Sequence, residues 1–443
     1  MPFNAPTRYP ESPRLFLKSP LGTALSAVEH DPDMTYFKIL NRYVYIVHSP
    51  QAIKYILQEN YKNYHKGRGY ELLTYFLGKG LLTVEGEAWH RQRRLIQPAF
   101  HREKLQSLAQ VTANCTMNLL REWQKREGET INFTQEMGRL TIDIVSRVLF
   151  GTQVAPDIVQ SVWHSVNILN GLAANRLRSP IIWPFWLPLI SNFKAKWYIG
   201  KMNKIMYGLI RDRRQNPTDG HDLLNMLLEA RDEETGEGMN DRQLRDELMT
   251  IFVAGHETTV NALSWIWYCL KKNPDTEQRL RTENDAILGT QMPNFDNVSR
   301  MSYNTNVINE GMRLYPPAMF VGRKAMSADQ ICGYDIRPGH TIVVNIYGAH
   351  RNPKYWDKPN DFIPERFDSF AIKGDNRFVF LPFGGGPRIC IGNNFAMLEM
   401  QIINALLARH AQFDLVSQHV VPDPQITLKP VGGVIVKLNR ITL

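Results

Sequence analysis

Phe383-Gly-Gly-Gly-Pro-Arg-Ile-Cys390-Ile-Gly392, running into Asn393-Asn-Phe-Ala-Met-Leu-Glu399, decides the reading of this chain. The glycines permit positive φ angles and let the backbone approach a flat object closely. The helix-like run that follows places Cys390 just ahead of a helix N-terminus. There the positive end of the dipole and free N–H groups favour thiolate over thiol.

A thiolate in a tight, amide-rich loop meets the needs of an axial haem-iron ligand, because hydrogen bonds to the sulfur tune its donor strength. The stretch resembles the haem-binding loop of the cytochrome P450 family, whose Phe-x-x-Gly-x-Arg-x-Cys-x-Gly pattern is matched at Phe383, Gly386, Arg388, Cys390 and Gly392. A buried cysteine after a glycine turn is the plainer reading, but five matched positions in ten residues speak against it. The resemblance implies haem b (iron protoporphyrin IX) with Cys390 as the iron's axial ligand. It also implies that Phe383, Gly384, Arg388, Gly392 and Ala396 help to bind the cofactor. The implied fold is mainly α with small β-sheets (α+β), the haem lying between a long central helix and the cysteine loop. It is expected as one catalytic domain over 1–443, with β-rich regions at about 30–50 and 320–350 and a helical core at about 85–315 and 390–412.

Composition agrees with a globular chain of 443 residues, 43% hydrophobic and 21% charged. Four cysteines (Cys115, Cys269, Cys332, Cys390) without paired spacing do not make a disulfide framework. A cytoplasmic setting is therefore expected. The N-terminal Met1-Pro-Phe-Asn-Ala-Pro contains no apolar run. Neither a signal peptide nor a membrane anchor is expected, which suits a soluble, bacterial-type member of the family acting as a monomer. The net charge of +9 suits nucleic acid, an anionic membrane or an acidic protein. No nucleic-acid motif accompanies it, so an acidic protein partner is favoured.

Along the chain, Tyr36–His48 reads as a hairpin and Pro50–Gln58 as a helix that starts at its proline. Trp89 and Arg93 lie four apart, on one helix face. An indole N–H and a guanidinium aimed the same way can bind a carboxylate. The spacing resembles the family's haem-propionate helix, although amphipathic helices carrying Trp and Arg are common. By resemblance, Leu82 in the preceding loop reaches toward substrate. The stretch from His101 to Phe150 is helical in period. Ser179–Ile190 is apolar but broken by three prolines, so it cannot form a transmembrane helix. It is either a mobile lid at a substrate entrance, in contact with a membrane, or a loop packed on the core. The polar segment 215–220 and the acidic loop 232–238 read as surface connections flanking a short helix.

Asn240 with Gln243 makes a capping-box-like start to a helix that nothing breaks before Asn273-Pro274, a length of about 45–50 Å. Its middle, Phe252-Val-Ala254-Gly255-His256-Glu257-Thr258-Thr259, sets polar groups into an apolar helix. Burying each unpaired would cost about 2 kcal/mol or more. Thr258 can bond back to a carbonyl one turn earlier and open the ladder beside Gly255. An exposed polar stripe is the plainer reading, disfavoured by Ile251, Phe252, Leu263, Trp265 and Ile266 around the helix. The pair Glu257-Thr258 resembles the family's acid–alcohol element for oxygen activation, where a carboxylate–hydroxyl relay delivers protons while bulk water is excluded.

Glu310 and Arg313 stand one helical turn apart, and Pro364-Glu-Arg366-Phe supplies a second arginine. In this order before the cysteine loop they resemble the family's structural Glu–Arg network. By resemblance Arg323 reaches a propionate, Ala254 meets the haem, and Ala318, Met319, Phe320, Phe252, Val253, Ala254, Leu82 and Val431 line the substrate pocket. Thr341–Ile346 reads as a strand. Thr427–Val434 reads as a strand pair with a turn, Val431 pointing inward.

The function so implied is a haem-thiolate monooxygenase that inserts one oxygen atom from O2 into an apolar small molecule by hydroxylation or epoxidation, with Glu257 and Thr258 catalytic. Electrons are expected from a separate ferredoxin or flavodoxin with its NAD(P)H reductase, docking on basic groups at Arg91, Arg93, Arg94 and Arg388. Two alternatives stand beside this. A peroxide-driven or isomerase-type haem-thiolate enzyme tends to lose the acid–alcohol pair, which this chain keeps. A non-catalytic haem sensor usually carries an output domain.

Overall fold

Residues 4–9, 18–39, 42–151, 156–179, 184–217, 222–370 and 377–443 are described by the computed structural model. They divide into two compact units. One comprises Met1–Leu72, Asn309–Ile391 and Ile426–Leu428; the other comprises Leu73–Ile308, Gly392–Gln425 and Lys429–Leu443.

The first unit is built on a sheet of six strands: β1 (Thr7–Arg8), β2 (Met34–Ile39), β3 (Arg42–Val47), β4 (Tyr64–Lys66), β6 (Phe320–Ala325) and β9 (Thr341–Asn345), in the order β1-β2-β3-β9-β6-β4. The other strands among the described residues are β5 (Thr130–Asn132), β7 (Asp329–Ile331), β8 (Tyr334–Ile336), β10 (Ala411–Leu415), β11 (Pro422–Pro424), β12 (Leu428–Pro430) and β13 (Ile435–Ile441). β2 and β3 form the expected hairpin, antiparallel from Met34↔Val47 to Ile39↔Arg42. β3 then pairs with β9 in parallel, Val44 opposite Thr341, a contact that no local pattern announces. Tyr45, Val47, Ile342 and Val344 bury their side chains against Ile53, Ile56 and Phe378. The helix Pro50–Lys54 is capped by Ser49, whose hydroxyl accepts the Ala52 N–H. It passes into a π-helical turn, Tyr55–Glu59, so the expected single helix over 50–58 widens half-way.

The second unit is mainly helical. The expected helical stretch 101–150 is two helices, Arg102–Gln124 and Phe133–Phe150, separated by a short strand, β5 (Thr130–Asn132). β5 is drawn out of the helical pattern because it closes a sheet of order β10-β13-β5, with β10 (Ala411–Leu415) and β13 (Ile435–Ile441). Trp123, Phe133, Trp267 and Phe413 form an aromatic core with centroid separations of 5.1 to 6.2 Å. Gly151, at φ 69°, ends the second helix in the left-handed conformation that glycine adopts without strain. The buried Arg213 donates to the Phe150 carbonyl and to Asp222, which caps the short helix Leu223–Glu229.

The long helix runs unbroken over Asp241–Lys272, 32 residues and about 48 Å. Asn240 Oδ1 accepts the Gln243 N–H at 2.9 Å, giving the expected cap. No helix among the described residues is long and apolar enough to cross a membrane.

Candidate functional site

The first unit carries the cysteine loop. Cys390 is exposed, and its backbone N–H donates to the Phe383 carbonyl at 3.0 Å, closing the loop on itself. Two of its glycines are at positive φ, Gly384 at 74° and Gly386 at 69°. Gly386 is required twice over. A Cβ there would sit 1.8 Å from the Leu57 carbonyl oxygen in the π-helical turn, whereas one on Gly384 would meet nothing within 4 Å. The glycine run therefore seats the loop on the Tyr55–Glu59 turn while leaving the Gly384 side open. Phe383 and Arg388 are half-buried beside it in sequence, and Gly392 and Ala396 are half-buried where the next helix starts.

Behind the loop, the expected arginine network is complete. Arg313 Nε donates to Glu310 Oε2 at 2.7 Å and Nη2 to Oε1 at 2.9 Å. Its remaining N–H groups reach the carbonyls of His350, Pro359 and Asp361. Arg366 Nε donates to Glu310 Oε1 at 2.9 Å. Glu310 and Arg313 are fully buried, and such a network stabilises only when every member is satisfied, as here. Its carbonyl acceptors come from the segment 350–361, so it fixes the chain that leads to the loop. The neighbouring His350 accepts the Leu381 N–H at 2.8 Å through Nε2, and burial holds its pKa down at about 3.

Arg323 lies buried on β6, its Nη1 donating to the Gly322 carbonyl. Among the expected pocket residues on this unit, Ala318 is exposed and Phe320 half-buried. Met319 is 3% exposed and packs with Ala24, Tyr347 and Leu428. Met319 therefore belongs to the core, whereas Ala318, in the bend just before it, is exposed.

The second unit carries the acid–alcohol pair. Each polar side chain of the 256–259 run has a partner, so the cost of burying it unpaired does not arise. Thr258 Oγ1 donates to the Ala254 carbonyl at 2.7 Å and Thr259 Oγ1 to the Gly255 carbonyl at 3.0 Å. The expected back-bonding is present, but the ladder does not open into another helix type. Glu257 is buried, with Lys429 Nζ 2.7 Å from Oε1 and Asn170 Nδ2 donating to Oε2. His256 Nδ1 lies 2.7 Å from Thr141 Oγ1, and burial drives its pKa down to about 3. Thr259 Oγ1 is 3.4 Å from Glu399 Oε2, and burial lifts that carboxyl to about 8. Lys429, Asn170, Thr141 and Glu399 carried no signal in the sequence, being distant from Glu257 in the chain and ordinary in type.

Along the same helix Phe252 is buried, Val253 half-buried and Ala254 exposed. Leu82 is half-buried in a loop that the long helix anchors: Asp246 accepts the Lys79 N–H and Glu247 the Leu81 N–H, each at 2.8 Å. Trp89 is buried and Arg93 half-buried on the helix Gly86–Ile96, as the spacing requires. Arg93 Nε also donates to Gln97 at 3.2 Å. The neighbouring Arg94 pairs with Asp232 and Glu234, and Arg91 with Glu237. The acidic loop thus offsets part of the expected basic docking patch. Val431 is 56% exposed and does not point inward. It stands at a turn with Gly432 and Gly433 at positive φ, and its N–H bonds outward to the Val421 carbonyl instead of pairing with β13.

Taken by itself, each unit has chemistry suited to an iron porphyrin: the first an exposed thiol, Cys390, on a loop that glycine opens, and the guanidinium of Arg323; the second an indole N–H and a guanidinium, Trp89 and Arg93, of the kind that binds carboxylates, and the small Ala254 beside an alcohol. Among the described residues, no cluster of His, Cys, Asp or Glu is suited to a bare ion.

The family model described as Cytochrome P450 matches residues 24–441. The chain is 32% identical to cyclooctatin synthase of Streptomyces melanosporofaciens, over 94% of this chain and 90% of that protein. It is 30% identical to cyclooctat-9-en-7-ol 5-monooxygenase of the same organism, over 82% and 79%. It is 29% identical to Cytochrome P450 97B2, chloroplastic, of Glycine max, over 84% and 74%.

Proposed function

We propose, from the premise that this chain belongs to the cytochrome P450 family and is a haem-thiolate monooxygenase, that Cys390 is the iron's axial ligand and that Glu257 with Thr258 delivers protons. Haem b bound through a cysteine thiolate supplies the activation of O2 from which one oxygen atom passes to an organic substrate. The chain is read as one catalytic domain. Arg323, Arg388, Trp89 and Arg93 hold the propionates, as charge-assisted donors do for carboxylates. Glu310, Arg313 and Arg366 are structural.

The observation that carries the reading is a buried carboxylate and a hydroxyl on consecutive residues of one helix. Thr258 Oγ–H is bonded to the Ala254 carbonyl. Turned from it, the hydroxyl presents a proton beside the small exposed Ala254, and Glu257 returns one from the protein side. Lys429 and Asn170 orient that carboxylate. The apolar character of Leu82, Phe252 and Val253 suits a neutral, apolar substrate, and the names of the two Streptomyces relatives suggest a carbocyclic one. Reducing equivalents come from a separate ferredoxin or flavodoxin, and the protein acts as a cytoplasmic monomer.

The test is the absorption spectrum of the reduced protein with carbon monoxide, followed by turnover. A red-shifted Soret band that disappears in Cys390→Ala supports the ligand assignment, and a band typical of histidine ligation overturns it. Glu257→Gln and Thr258→Ala should keep that band while losing at least about tenfold in product per NAD(P)H consumed, within the range of a general acid–base contribution. Unchanged coupling in both variants would remove the proton-delivery role.

A further inference from the structure

The loop between the helices Arg68–Leu77 and Gly86–Ile96 lies directly on the start of the long helix. A Cβ on Gly80 would sit 2.7 Å from the Asp246 carbonyl oxygen, so a side chain there would push the loop off the helix. Asp246 Oδ2 accepts the Lys79 N–H and Glu247 Oε2 the Leu81 N–H. Gln92 Nε2 donates to the Lys79 carbonyl at 3.0 Å. The segment that carries Leu82 is thus hung from this corner.

The same corner holds a cavity of about 270 Å³, lined by Lys79, Gln92, Asn240, Arg242, Gln243 and Asp246. Sites for drug-sized ligands measure about 300–1,000 Å³, so this one suits a small ligand. Lys79 and Arg242 are exposed, and among the described residues neither makes an ion pair. Asp246 offsets them little, because Arg245 Nη1 donates to its Oδ1 at 2.6 Å while the Lys79 N–H takes Oδ2. Asp241, in the first turn of the helix, is paired with Arg214 at 2.8 Å. The positive end of a 32-residue helix adds to the field that the two cations set up.

One lining group asks for a donor instead. Gln92 is 7% exposed, and its amide oxygen has no hydrogen-bond partner among the described residues. Flipping the amide would set that oxygen against the Lys79 carbonyl, so the bond from Nε2 fixes the orientation. A buried acceptor left unpaired is costly. We infer that this cavity binds hydrogen phosphate: its charged oxygens meet Lys79, Arg242 and the helix N-terminus, and its O–H donates to the Gln92 amide oxygen. Sulfate brings the charge but no proton to give, and an uncharged polyol leaves both cations unanswered. Bound phosphate links the Lys79 loop to the long helix by further bonds and stiffens the segment 78–83. The inference rests on no assignment in the haem site.

The experiment titrates the full haem-loaded protein with inorganic phosphate and with sulfate, at neutral pH and fixed ionic strength, by calorimetry and amide hydrogen exchange. Phosphate should bind saturably and about tenfold more tightly than sulfate, the effect of one buried hydrogen bond. It should also slow exchange at Lys79 and Leu81. Gln92→Met should bring phosphate to the level of sulfate. Lys79→Gln and Arg242→Gln should each weaken both anions about two- to fivefold and together remove the slowed exchange. These two changes lie at the surface, so they decide the matter even where Gln92→Met fails to fold. Absence of saturable phosphate binding overturns the proposal, as do equal affinities for phosphate and sulfate in the parent protein. A preference for phosphate that survives Gln92→Met, or affinity indifferent to both charge changes, overturns it too.

Discussion

Lys429 Nζ stands 2.7 Å from Glu257 Oε1, and Asn170 holds the other carboxylate oxygen. The acid proposed to feed protons to Thr258 is therefore clamped on both sides by residues from distant parts of the chain. Lys429→Met leaves a buried carboxylate without its cation, at a cost of about 1–3 kcal/mol in stability. The expected catalytic result is a lower yield of product per NAD(P)H with more peroxide released, and recovery in Lys429→Arg. Wild-type coupling in Lys429→Met would show that the clamp does not position the acid.

The two glycines of the cysteine loop differ in what surrounds them. Gly384→Ala meets open space and adds only the backbone penalty of a left-handed L-residue, about 1–2 kcal/mol. Gly386→Ala drives a methyl group into the Leu57 carbonyl. The carbon monoxide spectrum should therefore keep its thiolate band in the first variant and lose most of it in the second. Equal loss in both would mean that φ alone, and not the contact with the π-helical turn, governs the loop.

Arg313 distributes its N–H groups over Glu310 and three backbone carbonyls. A lysine has three donors on one atom and cannot copy that fork. Arg313→Lys should destabilise the protein by about 3–5 kcal/mol, as when one partner of a buried pair is broken. Thermal unfolding checks this, and a change within about 1 kcal/mol would contradict it.

Stability should bend in two directions with pH. His256 and His350 are held neutral with pKa values near 3 and regain their ordinary 6.5 on unfolding. The unfolded chain then binds more protons between these values. Their contribution is complete above pH 6.5 and is lost as pH falls toward 3, by up to about 1.4 kcal/mol per pH unit for each. Glu399 behaves oppositely. Its carboxyl titrates near 8 in the fold against 4.5 ordinarily, so stability declines as pH rises from 4.5 to 8. Denaturant titration of Glu399→Gln should show a flatter profile from pH 6.5 to 8 than the parent, and an identical slope would refute the assignment.

Arg91 and Arg94 already face Glu237, Asp232 and Glu234. An acidic redox partner would have to share these arginines with the chain's own loop. Neutralising the loop with Asp232→Asn and Glu234→Gln should quicken reduction by a ferredoxin at low salt, whereas Arg91→Glu with Arg94→Glu should slow it. Rates indifferent to both pairs of changes would place docking elsewhere.

The parts of this protein written in short-range rules were legible before folding was considered. The cysteine loop, the Asn240 cap with its long helix, Glu310 with Arg313, and the β2–β3 hairpin all depend on residues within a few positions of one another. Backbone sterics and helix spacing act at that range. What surrounds those groups was decided by tertiary structure. Asn170 and Lys429 reach Glu257 from far along the chain, and Glu399 becomes a neutral acid only through burial. Met319 enters the core while its neighbour Ala318 stays exposed, and Val431 turns outward at a glycine pair. Each of these outcomes depends on which distant surface removes a side chain from water, and a local pattern carries no record of that.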